Sequence, residues 1–589
     1  MFLSNLLFGA LALGLAGASV IPEAKLQAIE SRQDETAAAS NSASCNTPKN
    51  RTCWPGGFSV YTDSETKWPS PPPKQRTYTL VVSEKTLSPL GVPKTMLVVN
   101  GTYPGPTIYA DWGDQLTITV INNLPKGGNG TSMHWHGIQQ YMTNTADGVG
   151  GITECPIPPN GGSRTYQFIA TQHGSTWYHS HISGQYGSGV LGMIQINGPA
   201  AVNYDVDLGF LPVADFYDDP FYVVEDIQGP PTSDGAVING TMKDPNTGAG
   251  HYYNVTVQPN TTYRLRLINT AIDNGFVVSL DGHPFTVIAA DLVPIKPYTT
   301  NWLKIMIGER YDVVFTTSAK PANYWFRATL PSPNCGSNAW TGKIFAIFNY
   351  AGVKLANPTS TSTTAVPTIC GDESTLVPLT VKSVPQNQFN FTNTAADEFN
   401  TSVITGNGTT TWIVNQQAMS VSWEQPTLKY ITDGNITGLD KVPSYSVIHL
   451  PVANKFYFWV IQNQFFAPHP MHLHGHDFYL LGQSNDTGAL QTFTTADMGS
   501  LNFKNPTRRD SAMLPGYGWA VVAMYTDNPG AWLMHCHIAT HIGLGFGVQF
   551  LERESEIPQL PNMNKISGDC KVWDNYYATD PYKQLDSGL

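Results

Sequence analysis

The chain reads as an all-β protein built of Greek-key sandwiches, and three observations carry that reading. Charged residues make up only 13% of its 589 positions, while 53 glycines and 43 prolines, with abundant Thr, Val, Tyr and Asn, suit short strands joined by turns. No segment sustains the apolar period of a helix with good helix formers. Three segments look like copies of one strand pair, with 174–181 leading into 189–197, 322–328 into 342–350, and 530–537 into 545–551. That spacing predicts three similar β-sandwich domains, at 45–200, 201–372 and 373–589. The low-complexity stretch 357–368 reads as the linker into the third.

Residues 1–18 hold an apolar run ending in Ala16-Gly17-Ala18, the length and small-residue end of a secretory signal rather than of a membrane span. The polar, Ala/Ser-rich segment 19–44, with Arg32 as a processing point, is expected to be a propeptide. No later apolar stretch is long enough to cross a bilayer. Seven cysteines are an odd count, which in an exported chain marks one unpaired thiol. Cys536 sits inside a histidine cluster, leaving six for three bridges. Cys45–Cys53 and Cys335–Cys370 are sensible by proximity and Cys155–Cys570 is the remainder, although six cysteines allow about fifteen pairings. Eleven Asn-x-Ser/Thr sequons suggest glycosylated loops: Asn50, Asn100, Asn129, Asn239, Asn254, Asn260, Asn390, Asn400, Asn407, Asn435 and Asn485. A net charge of −12 argues against nucleic acid or an anionic membrane as partner.

Four short clusters hold ten of the fifteen histidines: His134-Trp135-His136, His179-Ser180-His181, His469-Pro470-Met471-His472-Leu473-His474, and His535-Cys536-His537 with His541. In an extended strand, side chains alternate faces, so each His-x-His presents both imidazoles on one side. The same alternation sends Cys536 to the face opposite His535 and His537. One tripeptide can therefore touch two metal centres. His469, Cys536 and His541 make a His₂Cys set, the signature of a blue copper electron-transfer site with a weak axial group. The position that supplies an axial methionine in many small blue copper proteins is Phe546, which cannot coordinate, so a high reduction potential is expected.

The other eight histidines form four His-x-His pairs with no carboxylate among them, which favours copper over calcium or magnesium. They suffice for three ions if two take three imidazoles and one takes two. Zinc is the main competitor, but a zinc hydrolase would not need the thiolate. A single His-x-His is an ordinary strand feature; four, one of them fused to Cys-x₄-His, are hard to obtain by chance. His173, His251, His283, His449 and His476 fall outside the pattern. The middle repeat has neither histidine nor cysteine at the corresponding place, so metal chemistry is expected in the first and third domains, with the second as spacer and wall.

Residues His134-Trp-His-Gly, His179-Ser-His, His469-Pro-Met-His-Leu-His-Gly-His476 and His535-Cys-His-Ile-Ala-Thr-His541 resemble the four signatures of the multicopper oxidases. Cys155-Pro-Ile-Pro-Pro and the terminal Asp586-Ser587-Gly588-Leu589 resemble, more narrowly, the laccases of filamentous ascomycete fungi. The resemblance implies three consecutive cupredoxin-like Greek-key domains and four copper ions. His469, Cys536 and His541 would hold the type 1 ion, and His134 and His472 the type 2 ion. One type 3 ion would fall to His136, His179 and His537, and the other to His181, His474 and His535. Cys536 would pass electrons to His535 and His537. Asp147, in Ala146-Asp147-Gly148, matches an acid beside the three-ion cluster that orients water and relays protons, and the tail resembles one that plugs the channel to it.

The implied activity is that of a secreted, extracellular, monomeric enzyme coupling four one-electron oxidations of phenols or aromatic amines to reduction of dioxygen to two waters. Trp412, Phe465, Phe466 and His541 would wall the substrate pocket. Departures from the family pattern are Ala249, where several relatives carry a phenol-binding carboxylate, and Thr540 and Thr410 in place of aromatic residues; relatives usually carry leucine at Phe546. They imply a wider, less acidic pocket, with Asp244 as a substitute acid. The alternatives are a ferroxidase, an ascorbate or bilirubin oxidase, or a non-enzymatic copper-binding protein. No acidic residue flanks His541, Phe546 speaks against a methionine-ligated relative, and all eleven ligands are kept.

Overall fold

The computed structural model describes residues 45–69, 74–125, 129–225, 229–362, 365–373, 376–391, 398–406, 409–485, 487–580 and 583–589, with the backbone alone at 398, 405, 406, 409 and 410. The expected signal segment 1–18, the propeptide 19–44, the sequon Asn407 and the side chain of Thr410 lie outside the described residues. The fold is mainly β, with 41% strand and 11% helix, in cupredoxin-like domains.

Each larger sheet draws its strands from one third of the chain. The first third holds two four-stranded sheets, and the middle and last thirds each pair a six-stranded sheet with a five-stranded one. In the first third, Leu80, Leu116 and Ile118 of one sheet pack with Ile108, Trp135 and Ile194 of the other. The repeat shows again in strand pairing. Gln75–Leu87 runs parallel to Gln115–Asn122, Val206–Phe216 to Thr262–Asn269, and Glu398–Gly406 to Phe456–Asn463. The partner sheets do the same, joining Gly105–Asp111 to Leu191–Asn197, Asn254–Val257 to Ile344–Tyr350, and Val447–Leu450 to Gly547–Glu552. Parallel neighbours need a crossover, so each third must pass between its sheets rather than meander within one. The three repeated strand pairs read from the sequence are antiparallel neighbours: Gly174–His179 with Leu191–Asn197, Asn323–Thr329 with Ile344–Tyr350, and Gly530–Cys536 with Gly547–Glu552.

One element has no counterpart in the sequence reading. Ile566–Tyr577 is a twelve-residue α-helix that buries Ile566, Cys570, Trp573 and Tyr577. Those spacings are the recurring face of a helix, but a run this short among so many strands gives little periodic signal. Through Cys155–Cys570 it is bonded to the first third; Cys45–Cys53 and Cys335–Cys370 are the other bridges, and Cys536 is a buried free thiol.

Candidate metal centres and the adjoining pocket

The strand His134–His136 pairs antiparallel with Gly174–His179, setting His134 opposite His179 and Trp135 opposite Tyr178. Alternation then divides the tripeptide. Trp135 packs into the apolar core beside Tyr166, Phe168 and Tyr178, while both imidazoles face the other way. In the last third, His469–Leu473 pairs with Gly530–Cys536, placing His472 opposite His535 and Met471 opposite Cys536.

The two sets of histidines interleave. The His134 ring stacks on His474 at 3.9 Å between centroids, and His136 on His472 at 3.8 Å. Donor atoms converge, within 4.8 Å of one another, in the sets His181/His474/His535, His134/His472/His474 and His134/His136/His179. His537 joins through His136, with Nε2 3.2 Å from His136 Nδ1. On the opposite face of the last strand, Cys536 Sγ lies 3.7 Å from His469 Nδ1 and 3.5 Å from His541 Nδ1. Phe546 closes this second site: its ring is 4.8 Å from that of His469 and stacks on Trp412 at 5.3 Å. The tripeptide His535-Cys536-His537 thus serves both sites.

Four of the ring nitrogens are held by backbone carbonyls and others are left bare. His134 Nδ1 and His472 Nδ1 donate to the carbonyls of Asp147 and Asp510, and His179 Nδ1 and His535 Nδ1 to those of Ser180 and Cys536. Such bonds fix the tautomer and aim the remaining nitrogen. The Nε2 atoms of His134, His179, His181 and His472 are buried without a hydrogen-bond partner. Burial pushes the imidazoles of His136, His179, His181, His469, His474, His535 and His537 well below their ordinary value, and that of His541 to about 3. They are neutral, with lone pairs turned toward one another. Buried bare donors are costly, and cations between them remove that cost. Eight imidazoles at one site, and two with a thiol at the other, suit copper. Burial also pushes the Cys536 thiol up, so a metal must displace its proton.

Two carboxylates support the larger site. Asp147 Oδ2 lies 2.9 Å from His474 Nδ1, and Oδ1 3.3 Å from His134 Nδ1, so the residue singled out in the sequence spans two histidines. Asp510 was not singled out. Its Oδ1 lies 3.2 Å from His136 Nε2, and Arg310 grips it with two bonds of 2.5 Å. Burial opposes its ionisation, but the Arg310 guanidinium, with bonds from His136 and His472, holds the carboxyl well below the usual range. Arg310 also meets Asp291, which in turn meets Arg509. The middle third is therefore more than a spacer and wall. The signal for this network was Arg508-Arg509-Asp510, three charges in a row that are all buried, the arginines ending the strand Thr507–Arg509 and Asp510 in the bend before Ser511–Leu514.

A cavity of about 300 Å³ adjoins the smaller site and is lined by His541, Trp412, Phe465, Phe466 and Thr540. The expected loss of acidity is corrected by Glu225 and Asp273, which line it too. Ala249 and Asp244 belong instead to a surface turn, in which Asp244 N donates to Ala249 O at 2.8 Å. The chain brings Glu225 in from the short helix Phe221–Glu225, two strand segments before the turn that holds Ala249. Asp273 is pushed up to about 7 by burial and by Asp215, itself pushed to about 6 by burial. A carboxyl raised in the folded state stabilises the fold only while protonated. That contribution is complete below the unfolded value near 3.8 and is lost as pH rises through about 6 and 7. The melting temperature should fall by several degrees across this window, and Asp273→Asn should flatten the fall; an unchanged slope in scanning calorimetry would contradict the assignment.

The five remaining histidines have other partners. His173 packs on Trp112, His251 approaches Thr241, His283 meets Tyr350, and His449 and His476 meet Glu554 and Glu552. The terminal tail is docked, not frayed: Ser587 and Leu589 are buried, and Trp423 Nε1 donates to Gly588 O at 2.8 Å.

Residues 81–201, 208–353 and 420–556 match three multicopper oxidase domain profiles. Laccase-1 of Melanocarpus albomyces is 43% identical over 571 residues, covering 92% of this chain and 89% of that protein. A laccase of Neurospora crassa is 42% identical over 607 residues, covering 99% and 95%. The crystal structure of a laccase from Botrytis aclada superposes with a TM-score of 0.84 at 38% identity, over 93% of this chain and 100% of that one.

Proposed function

This chain belongs to the multicopper oxidase family as a laccase-type oxidoreductase, and on that premise we propose that it is a secreted enzyme coupling the oxidation of phenols or aromatic amines to reduction of dioxygen to water. The observation that carries the reading is the shared tripeptide: His535 and His537 belong to the eight-imidazole site, and Cys536 between them belongs to the site beside the cavity. Four copper ions fit the donors. His469, Cys536 and His541 would hold one, His134 and His472 a second, and the sets His136/His179/His537 and His181/His474/His535 the remaining two. Bound there, copper would supply one-electron chemistry, accepting electrons beside the cavity and delivering them to dioxygen at the larger site.

The rest is work for side chains. His541 turns Nδ1 to Cys536 and lines the cavity, so its other edge is what a substrate meets. Trp412, Phe465 and Phe466 offer flat apolar walls to an aromatic ring, and Glu225 is placed to accept the phenolic proton as the electron leaves. Asp147, between His134 and His474, is the group that would hand protons to reducing oxygen. Asp510 fixes the tilt of His136 and His472, and Arg310 holds its charge. The three sandwiches would correspond to 45–200, 201–372 and 373–589. Secretion is supported by three disulfides and by sequons that are exposed at Asn100, Asn129, Asn254, Asn260, Asn390, Asn435 and Asn485. Among the described residues no helix is long and apolar enough to cross a membrane.

Two carboxylates beside His541 would also serve Fe(II), so a ferroxidase is the competing reading. Oxygen uptake by the copper-loaded protein, with a dimethoxyphenol, Fe(II), ascorbate and bilirubin at matched concentrations, separates the two. Preference for the phenol is expected; preference for Fe(II) would overturn the substrate class. A further outcome concerns Phe546, buried against Trp412 and His469 where a fourth ligand would stand. Phe546→Met should lower the reduction potential of the blue site, because a thioether donor stabilises the oxidised ion. An unchanged or higher potential in redox titration would show that the residue does not face the metal.

A further inference from the structure

The terminal tail docks against the short helix that carries His541. The short helix Ala539–Gly543 carries His541, and its last carbonyls need partners. Ile542 O already accepts from Gly545 N at 2.9 Å within the turn; Ser587 adds a second bond to it from Oγ at 2.7 Å, and its own N–H donates to Gly543 O at 2.8 Å. Val421 N donates back to Ser587 O at 2.9 Å, and Leu589 is buried in an apolar cluster with Ile542, Val421 and Leu533. The serine is thus held from behind while it holds the helix.

The other side of the same peptide faces the cavity. A Cβ added at Gly543 would stand 1.9 Å from Glu225 Oε1, so the carboxylate rests directly on this backbone. Beyond it, His541 O accepts from Phe546 N at 3.0 Å, and Leu544 O from Trp412 N at 3.0 Å. The turn that Ser587 closes therefore carries the ligand His541, sets the height of Glu225 and fixes the backbone of two cavity-wall residues. Val149, two residues after Asp147, lies in the same apolar cluster as Leu589.

We propose that Ser587 is a positioning residue for the phenol site: it caps the helix that carries His541 and so holds His541 and Glu225 in the relation substrate oxidation requires. This deepens the reading of the cavity as a phenol site and rests on it.

The test uses the full-length, copper-loaded chain as Ser587→Ala and Ser587→Thr, the latter keeping a hydroxyl. KM is measured separately for a dimethoxyphenol and for dioxygen, and the blue band is titrated for its reduction potential. Ser587→Ala is expected to raise the phenol KM about fivefold, the size of one net hydrogen bond, and to shift the potential while leaving the dioxygen KM unchanged. Ser587→Thr should restore both. A phenol KM and potential equal to wild type, or a change confined to the dioxygen KM, would overturn the proposal. Should Ser587→Ala not fold, Gly543→Ala displaces Glu225 with the tail left in place, and a wild-type phenol KM there would overturn it equally. If the wild-type chain oxidised Fe(II) and not the phenol, the substrate reading would fall, whereas the potential of Ser587→Ala would still decide whether the tail holds His541.

Discussion

Cys536→Ser is expected to remove the blue absorption and to lower turnover by several orders of magnitude while leaving the fold intact. The side chain is fully buried, its sulfur facing His469 and His541, with Met471 opposite it on the neighbouring strand and Phe546 O accepting from its backbone N–H. Serine fits the space, and its hydroxyl can hydrogen-bond to either imidazole, so the structural cost should stay near the lower end of about 1–3 kcal/mol for a buried hydroxyl. What serine lacks is a thiolate. A hydroxyl on this strand would not give up its proton to a metal near neutral pH, and the covalent link from the cavity site to His535 and His537 would lose its donor. Absorption, circular dichroism and oxygen uptake on the same preparation read the three consequences. A folded Cys536→Ser protein that kept turning over phenol would disprove the path through this tripeptide.

Arg310→Met should have the largest effect on stability. The guanidinium is fully buried and is shared between Asp510 and Asp291, so removing it leaves two carboxylates in the interior facing each other's field. Breaking one side of a buried pair costs about 3–5 kcal/mol. Asp291 keeps Arg509 as partner, but Asp510 is left with only the bonds it makes to His136, His472 and Ser511. Its charge would then cost more, and the two imidazoles it steadies would lose their fixed tilt. We expect a lower melting temperature and, in whatever fraction folds, weaker copper retention at the eight-imidazole site with the blue site intact. Equal loss of both sites would mean that Arg310 holds the whole fold rather than this corner of it.

The sequence was most informative where the chemistry is local. His-x-His and His-Cys-His announce themselves because two-residue alternation is imposed by any extended strand, whereas the pairing of His472 with His535 is visible only in the fold. The threefold repeat was legible for the same reason, since each copy carries its own strand pair. What the sequence hid was the contact made across folded distance. Arg310 and Asp510 are 200 positions apart, and nothing near either one says that they meet. Glu225 escaped notice because only the packing of its helix against Gly543 brings it to the cavity, and a search of loops by likeness selected Ala249 instead. The tail was recognisable as a motif, but its bonds to Ile542 and Gly543 depend on where the last third folds the turn after His541.

We propose that electrons taken singly beside the cavity are pooled at a second site and leave together on dioxygen. The most direct test is stoichiometric. Oxygen uptake and phenoxyl formation are followed together in the copper-loaded protein, with catalase added to reveal any peroxide. About four phenols oxidised per dioxygen, with no oxygen returned by catalase, is the expected result, because both donor sets must be filled and joined to give it. A ratio of about two with peroxide released would show that the blue site works alone, and that the eight histidines, however well they converge, do not complete the reaction.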